Sequence, residues 1–333
     1  MHFLIIGAAG MIGRKFAESL ASDAILGGKT VDRLTLADVV SPQEPAGFRG
    51  DVSCLTADLS SPGAAEQLIS GRPDVIYHLA AIVSGEAEAD FEKGYRINLD
   101  GTRNLFEAIR KAGGEEGWKP RVVYASSNAV YGGDFPDVIP DDYILTPQTS
   151  YGTQKAIGEL LLADYTRRGI FQGIGLRLPT ICVRPGKPNR AASGFFSGII
   201  REPLVGLDAV LPVPDTVRHW MTSPRSAIGF LRHAATLDPA QVGDRPNLTM
   251  PALSVTVGEQ IEALRRIAGD RVVAHIRREP DPLIARIVNG WARAFDPQRA
   301  LSLGFTTETR FEDIILAHIE GELGGRIPER HAA

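Results

Sequence analysis

The stretch His2-Phe3-Leu4-Ile5-Ile6-Gly7-Ala8-Ala9-Gly10-Met11-Ile12-Gly13 sets an apolar run directly before glycines at every third position. A run of this length reads as a buried strand, and Gly7, Gly10 and Gly13 then open a helix. The first glycine permits a tight turn, the second lets backbone approach a pyrophosphate, and the third lets the helix lie close on the sheet. The free N–H groups at the helix start, at the positive end of its dipole, attract phosphate oxygens. Ordinary turns also carry glycines, so the weight of this reading depends on the rest of the chain.

The rest of the first half alternates. Short apolar runs at 2–6, 33–37, 52–57, 74–79, 121–126 and 173–178 read as strands, and segments 11–20, 89–112 and 151–165 carry a period near the helical repeat. Strands alternating with helices pair in parallel through right-handed crossovers, which predicts an α/β fold with a Rossmann-type doubly wound sheet. In such sheets ligands lie outside the carboxyl ends of the strands, where the chain's other motifs also fall. Beyond residue 178 the texture changes: Pro179, Pro185, Pro188, Pro203, Pro212, Pro214 and Pro224 break the pattern, and helical periodicity returns at 226–236, 255–268 and 311–323. Residues 1–178 are therefore expected to bind the dinucleotide, and 179–325 to form mainly a smaller α/β substrate lobe, with some segments returning to the sheet.

The second strand ends in Asp38. A carboxylate there accepts from the adenosine ribose hydroxyls and repels a 2′-phosphate, favouring NAD over NADP. Arg14 is the contrary sign, read as a solvated helix residue. Asp58 and Leu59 follow the third strand at the adenine end, and Leu79, Ala80 and Ala81 close the fourth with residues small enough for close cofactor passage.

Tyr151 and Lys155 form YxxxK at a helix start, and i, i+4 spacing puts both on one face. A phenol with a reference pKa of about 10 is a poor base unless a nearby ammonium favours its anion. Lys155 also suits the nicotinamide ribose hydroxyls. Upstream, VVYASSNAVYG ends a buried strand in Ser126 and Ser127, either of which suits a donor to a substrate oxygen. Asn98 suits a water-mediated proton path or a structural place on its helix.

The bulk numbers narrow the function classes. A formal net charge of -4 over 333 residues argues against a broad nucleic-acid surface. Cys54 and Cys182 show neither a CxxC pair nor ligand-like clustering, so no disulfide or metal site is expected. The apolar N-terminus lacks the basic region of a signal peptide, and no run is long enough to span a bilayer. A cytoplasmic protein without membrane or nucleic-acid partners is the expectation.

Taken together, Gly7 to Gly13, Asp38, Asp58-Leu59, His78-Leu79-Ala80-Ala81, Asn98 with Gly101-Thr102, Ser126-Ser127 with Tyr131-Gly132, and Tyr151 with Lys155 resemble the extended short-chain dehydrogenase/reductase family in order and spacing. The resemblance covers residues 1–180 and implies a Ser127/Tyr151/Lys155 triad, Ser127 rather than Ser126 holding the family's hydroxyl position, and commonly a homodimer. It implies NAD contacts from Gly7, Gly10, Met11, Ile12, Gly13, Asp38, Asp58, Leu59, Leu79, Ala80, Ala81, Asn98, Tyr151, Lys155 and Pro179.

Many members of that family act on nucleotide-diphosphate sugars, and the chain departs from their pattern. Where they often read R-x-x-N it has Arg177-Leu178-Pro179-Thr180, and after Arg218-His219-Trp220 it lacks the usual acids. The runs RLPTICVRPGKPN and RHWMTSPRSA look like the branch that oxidises D-erythronate at C2 to the 2-oxo acid. A small sugar acid needs a cation for its carboxylate, for which Arg184, Lys187, Arg190 and Arg218 are available, and Thr180, Ser193 and His219 suit its hydroxyls. The alternatives are a nucleotide-sugar epimerase or dehydratase with tightly held NAD, and a non-catalytic NAD-sensing protein.

Overall fold

The computed structural model describes residues 1–113, 117–186 and 192–328. The strands that frame the site are β1 His2–Ile6, β2 Arg33–Asp38, β3 Asp51–Thr56, β4 Val75–His78, β5 Arg121–Ser127, β6 Gln172–Leu178, β7 Thr180–Ile181, β8 Arg218–Thr222, β9 Asn247–Thr249 and β10 Leu253–Thr256. Seven of them form a parallel sheet in the order β9-β6-β5-β4-β1-β2-β3, the reversal of direction beside β1 being that of a doubly wound sheet. The principal helices are α1 Met11–Ser22, α2 Gly101–Gly113, α3 Ser150–Arg167, α4 Gly194–Leu204, α5 Pro224–Ala234, α6 Val257–Ala268 and α7 Phe311–Glu322.

Side chains alternate across a strand, so β1 feeds two cores. Phe3 and Ile5 pack with Phe16 and Leu20 of α1 and with Phe230 and Leu231 of α5. Leu4 and Ile6 pack on the other face with Phe106 and Ile109 of α2 and Leu162 of α3. Covered on both faces, these strands read as continuous apolar runs rather than alternating ones. Register then levels the strand ends: Ile6 lies opposite both Ala37 and His78, and Ser127 opposite Leu178. Gly7, Asp38, Leu79 and Ser127 consequently line one carboxyl edge.

The rest of the chain is built around a third core, in which Phe196, Ile199 and Ile200 of α4 meet Ile261 and Leu264 of α6 and Ile314 and Ile315 of α7. A small sheet ordered β7-β8-β10 lies beside it. The chain then crosses back: β9 pairs in parallel with β6, Leu248 opposite Leu176, and becomes the edge of the large sheet. Helix α5 likewise covers the large sheet rather than the third core.

One expected helix is corrected. The periodic segment 89–112 is helical from Phe91 onward but not regular: the turn Phe91–Gly94 runs straight into a π-helical turn, Tyr95–Asp100, before α2 begins. Packing beside this turn is close: a Cβ on Gly94 would fall 2.7 Å from Gln154 Nε2 of α3. The wider turn also turns the Asn98 side chain onto the backbone of Ile82.

Candidate active site

The loop between β1 and α1 meets the requirements of a bound dinucleotide. Gly7 has φ +93°, and a Cβ there would lie 2.6 Å from Ala80 N at the end of β4. At Gly13 a Cβ would fall 2.2 Å from Gly7 O, so the helix start is pressed onto the loop. Gly10 caps α1 without any side-chain bond, leaving the first-turn N–H groups free for an anion. At the level end of β2, the Asp38 carboxylate accepts from Ala9 N at 2.9 Å and Val39 N at 2.7 Å. Tied to the glycine loop in this way, it sits where a ribose diol would hydrogen-bond. Arg14 is half exposed and lies 3.7 Å from Glu18, turned to its own helix.

Asp58 is engaged locally, accepting from Ser60 N at 2.9 Å and Ser60 Oγ at 2.7 Å, with Arg96 beside it. Partial burial pushes its pKa up, but the Ser60 bonds and Arg96 outweigh this and hold it below its ordinary value. Leu59 is buried, whereas Leu79, Ala80 and Ala81 are partly open along the cleft edge. Asn98 clamps the segment after β4, its amide donating to Ile82 O at 3.1 Å and its carbonyl accepting from Ile82 N at 2.9 Å. Asn98 Nδ2 also donates to Gln154 Oε1 at 2.8 Å, which ties this segment to α3.

Thr149 caps α3 by accepting from Gly152 N, fixing the helix start at Ser150 and directing Tyr151 and Lys155 along one face. Lys155 is buried; its Nζ donates to Ala125 O at 2.7 Å and stands 5.7 Å from the Tyr151 ring centroid and 4.9 Å from that of Tyr124. Burial pulls its pKa down to about 8, with Glu159 pulling the other way. The Tyr151 pKa is raised, chiefly by loss of water, while a bond from the Ser127 hydroxyl and the charge of Arg184 pull it back. Ser127 is partly open and Ser126 is buried, its Oγ donating to Glu159 Oε1 at 2.6 Å. The two serines are thus separated: Ser127 faces Tyr151, and Ser126 faces the interior.

Across from Tyr151 lies Arg184. Its Nε donates to Ile181 O at 3.1 Å and its Nη2 reaches Ser193 Oγ at 3.5 Å. Among the described residues no carboxylate pairs with this guanidinium, and burial lowers its pKa. Thr180 Oγ1 and His219 Nε2 share a 2.7 Å hydrogen bond, and the His219 ring stacks on Phe196 with centroids 5.0 Å apart and lies 5.3 Å from Trp291. Burial, then the Arg184 charge, pull the His219 pKa down to about 4, so it is neutral at physiological pH. Arg218 is placed differently: it donates to Ser254 O at 2.7 Å and pairs with Glu259 at 3.4 Å. Pro179 is buried at the end of β6. Lys187 and Arg190 lie outside the described residues.

Sequence reading missed Gln154, Glu159, Phe196 and Trp291. Gln154 and Glu159 carried a signal, since both fall on the buried side of the helix that bears Tyr151 and Lys155. Among the described residues no cluster of three or more His, Cys, Asp or Glu is placed to hold a metal, and no helix is long and apolar enough to cross a membrane.

The chain is similar to known proteins over nearly its whole length. A D-erythronate dehydrogenase from Cupriavidus necator is 48% identical over 324 residues, 96% of this chain and 98% of its own. A second, from Haemophilus influenzae, is 40% identical over 97% of this chain and 100% of its own. A crystal structure described as the nucleoside-diphosphate-sugar epimerase from Agrobacterium tumefaciens superposes with a TM-score of 0.97 at 65% identity, covering 98% of this chain and 96% of that one. The model of the NAD dependent epimerase/dehydratase family matches residues 3–222. The chain belongs to the NAD dependent epimerase/dehydratase family and is an NAD-dependent oxidoreductase.

Proposed function

We propose that the protein oxidises the C2 hydroxyl of D-erythronate, or a close short sugar acid, to the 2-oxo acid. The observation that carries this reading is Arg184, a largely buried guanidinium beside Tyr151 with no carboxylate partner among the described residues. A buried arginine left unpaired is costly, and a substrate carboxylate relieves the cost. Names of relatives support the same substrate: two aligned over nearly their whole length are D-erythronate dehydrogenases.

In this mechanism Gly7, Gly10 and the first turn of α1 hold the pyrophosphate, Asp38 the adenosine ribose, and Lys155 the nicotinamide ribose. Bound NAD supplies the hydride acceptor. Arg184 orients the acid by its carboxylate, and the Thr180–His219 pair faces its remaining hydroxyls. Ser127 donates to the reacting oxygen and Tyr151 removes its proton. The Arg184 charge favours the Tyr151 anion, and a Lys155 ammonium 5.7 Å from the same ring is placed to add to it. Residues 1–178 serve the cofactor and 179–325 mainly the substrate. The same reading includes a homodimer, to which the exposed Leu160 on α3 is suited.

NADH formation with D-erythronate, L-threonate and D-threonate, each with NAD and with NADP, tests the proposal. Turnover of D-erythronate with NAD is expected; indifference to all three acids sinks it. The 65% identical structure described as a nucleoside-diphosphate-sugar epimerase favours a second reading. That reading requires NAD retained through purification and sugar-nucleotide conversion without net NADH.

A further inference from the structure

Behind the cleft lies a buried ionic group that the proposed mechanism does not use. Glu159 stands one helical turn after Lys155 on α3 and is 1% exposed. Its carboxylate accepts Ser126 Oγ at 2.6 Å, Arg177 Nε at 3.0 Å and Arg177 Nη2 at 2.7 Å. Arg177 in turn donates from Nη1 to Tyr131 OH at 2.6 Å. One side chain thus joins the helix of Tyr151 and Lys155 to the strand end beside Ser127 and to the strand end leading to Pro179.

We propose that Glu159 is a positioning residue for the Lys155 ammonium: it fixes helix α3 against β5 and β6, and it supplies the only carboxylate facing Lys155 among the described residues. The proposal rests on the reading of Lys155 as part of the catalytic group. Among the described residues around Lys155, only Glu159 favours its ammonium by charge. From its own helix come Tyr151 and Glu159, and from β5 come the Tyr124 ring and Ala125 O. From β4 comes His78, which burial and the Lys155 charge hold neutral with a pKa of about 3. From β6 comes Arg177, whose Nη2 pairs with Glu159 at 2.7 Å. The helix Ser84–Ala89 contributes Glu88 at the start of α3, where its carboxylate is engaged by Ser150 N at 2.9 Å. Burial alone works against an ammonium here, and the Glu159 charge opposes that effect.

Removing the charge while keeping the shape should therefore do two things at once: take away the attraction and leave Arg177 as an unpaired like charge. The test titrates Lys155 directly. Lysine-selective carbon-13 NMR is recorded against pH on the full-length protein, its resonance identified by loss in Lys155→Met, for wild type, Glu159→Gln and the double variant Glu159→Gln/Arg177→Met. The expected result is a midpoint about one unit lower in Glu159→Gln, with partial return in the double variant, which removes the stranded guanidinium. The high-pH limb of kcat should move with it. An unchanged midpoint in Glu159→Gln overturns the proposal, whatever the turnover. Should that variant not fold, the double variant decides: a midpoint at or above wild type overturns it, and a lower one supports it. A shifted midpoint in an enzyme that oxidises no sugar acid leaves this inference standing and removes the proposed function instead.

Discussion

The Lys155 ammonium lies 5.7 Å from the centroid of the Tyr151 ring and is held there by its bond to Ala125 O at 2.7 Å. The pair is therefore fixed by a strand carbonyl before any ligand arrives. Tyr151→Phe keeps that arrangement and loses only the hydroxyl. Its kcat is expected to fall at least about 10³-fold while NADH affinity, read by fluorescence, stays within about twofold. Comparable turnover in the variant removes Tyr151 from the chemistry.

Arg184 gives a different kinetic signature. Arg184→Met should raise KM for D-erythronate by about 10²-fold or more with a smaller change in kcat, because it acts on the carboxylate and not on the reacting oxygen. Arg218→Met is the control: its guanidinium is already bound to Ser254 O and Glu259, so KM is expected to stay within about threefold. Equal effects of the two substitutions contradict this assignment.

Cofactor choice is predicted to rest on Asp38. Asp38→Ser should weaken NAD by about tenfold and narrow its preference over NADP, measured as the ratio of kcat/KM values. The carboxylate also accepts Ala9 N, so some disturbance of the glycine loop is expected to accompany the change.

Gly13 is a steric demand and not a chemical one. Gly13→Ala places a methyl group 2.2 Å from Gly7 O, where only backbone movement relieves the clash. A loss of about 2–4 kcal/mol in denaturant unfolding is expected, together with weaker NADH binding.

Acid should destabilise the fold through three buried histidines. Desolvation depresses the pKa of His78 to about 3 and those of His219 and His318 to about 4. In the unfolded chain they bind protons near pH 6.5, so below that value unfolding takes up protons and stability falls until the folded pKa values are reached. Tm should therefore decline steadily from about pH 6.5 to about pH 4. His318, whose two ring nitrogens have no hydrogen-bond partner among the described residues, offers the sharper check: His318→Leu should flatten that decline.

Much of the sheet was legible in the sequence because parallel strands buried on both faces appear as unbroken apolar runs, and β1 agrees end to end with the segment 2–6. Helix α4 was not: Pro203 and the neighbouring prolines suggest loop, yet Phe196, Ile199 and Ile200 bury one face well enough to hold the helix. The π-helical turn at Tyr95–Asp100 was hidden because a 3.6-residue apolar period does not mark a local widening, and the contact of its Asn98 with Gln154 lies far away in sequence. The pairing of Glu159 with Arg177 escaped for a similar reason. Charged residues are usually solvated, and only the fold reveals that these two form an ion pair in the interior. Likewise the sequence offered four cations for a carboxylate, and the fold engages Arg218 elsewhere while leaving Arg184 beside Tyr151.

The return of the chain at Asn247–Thr249 has a consequence for biogenesis. While the polypeptide is being synthesised, β6 holds an unpaired outer edge until residue 249 has left the ribosome, with the segment 179–246 still short of the partners that complete the third core. An exposed parallel edge of Ile174 and Leu176 is an aggregation template. Substitutions that slow the third core are therefore expected to lower yield in cells before they lower the stability of the finished fold.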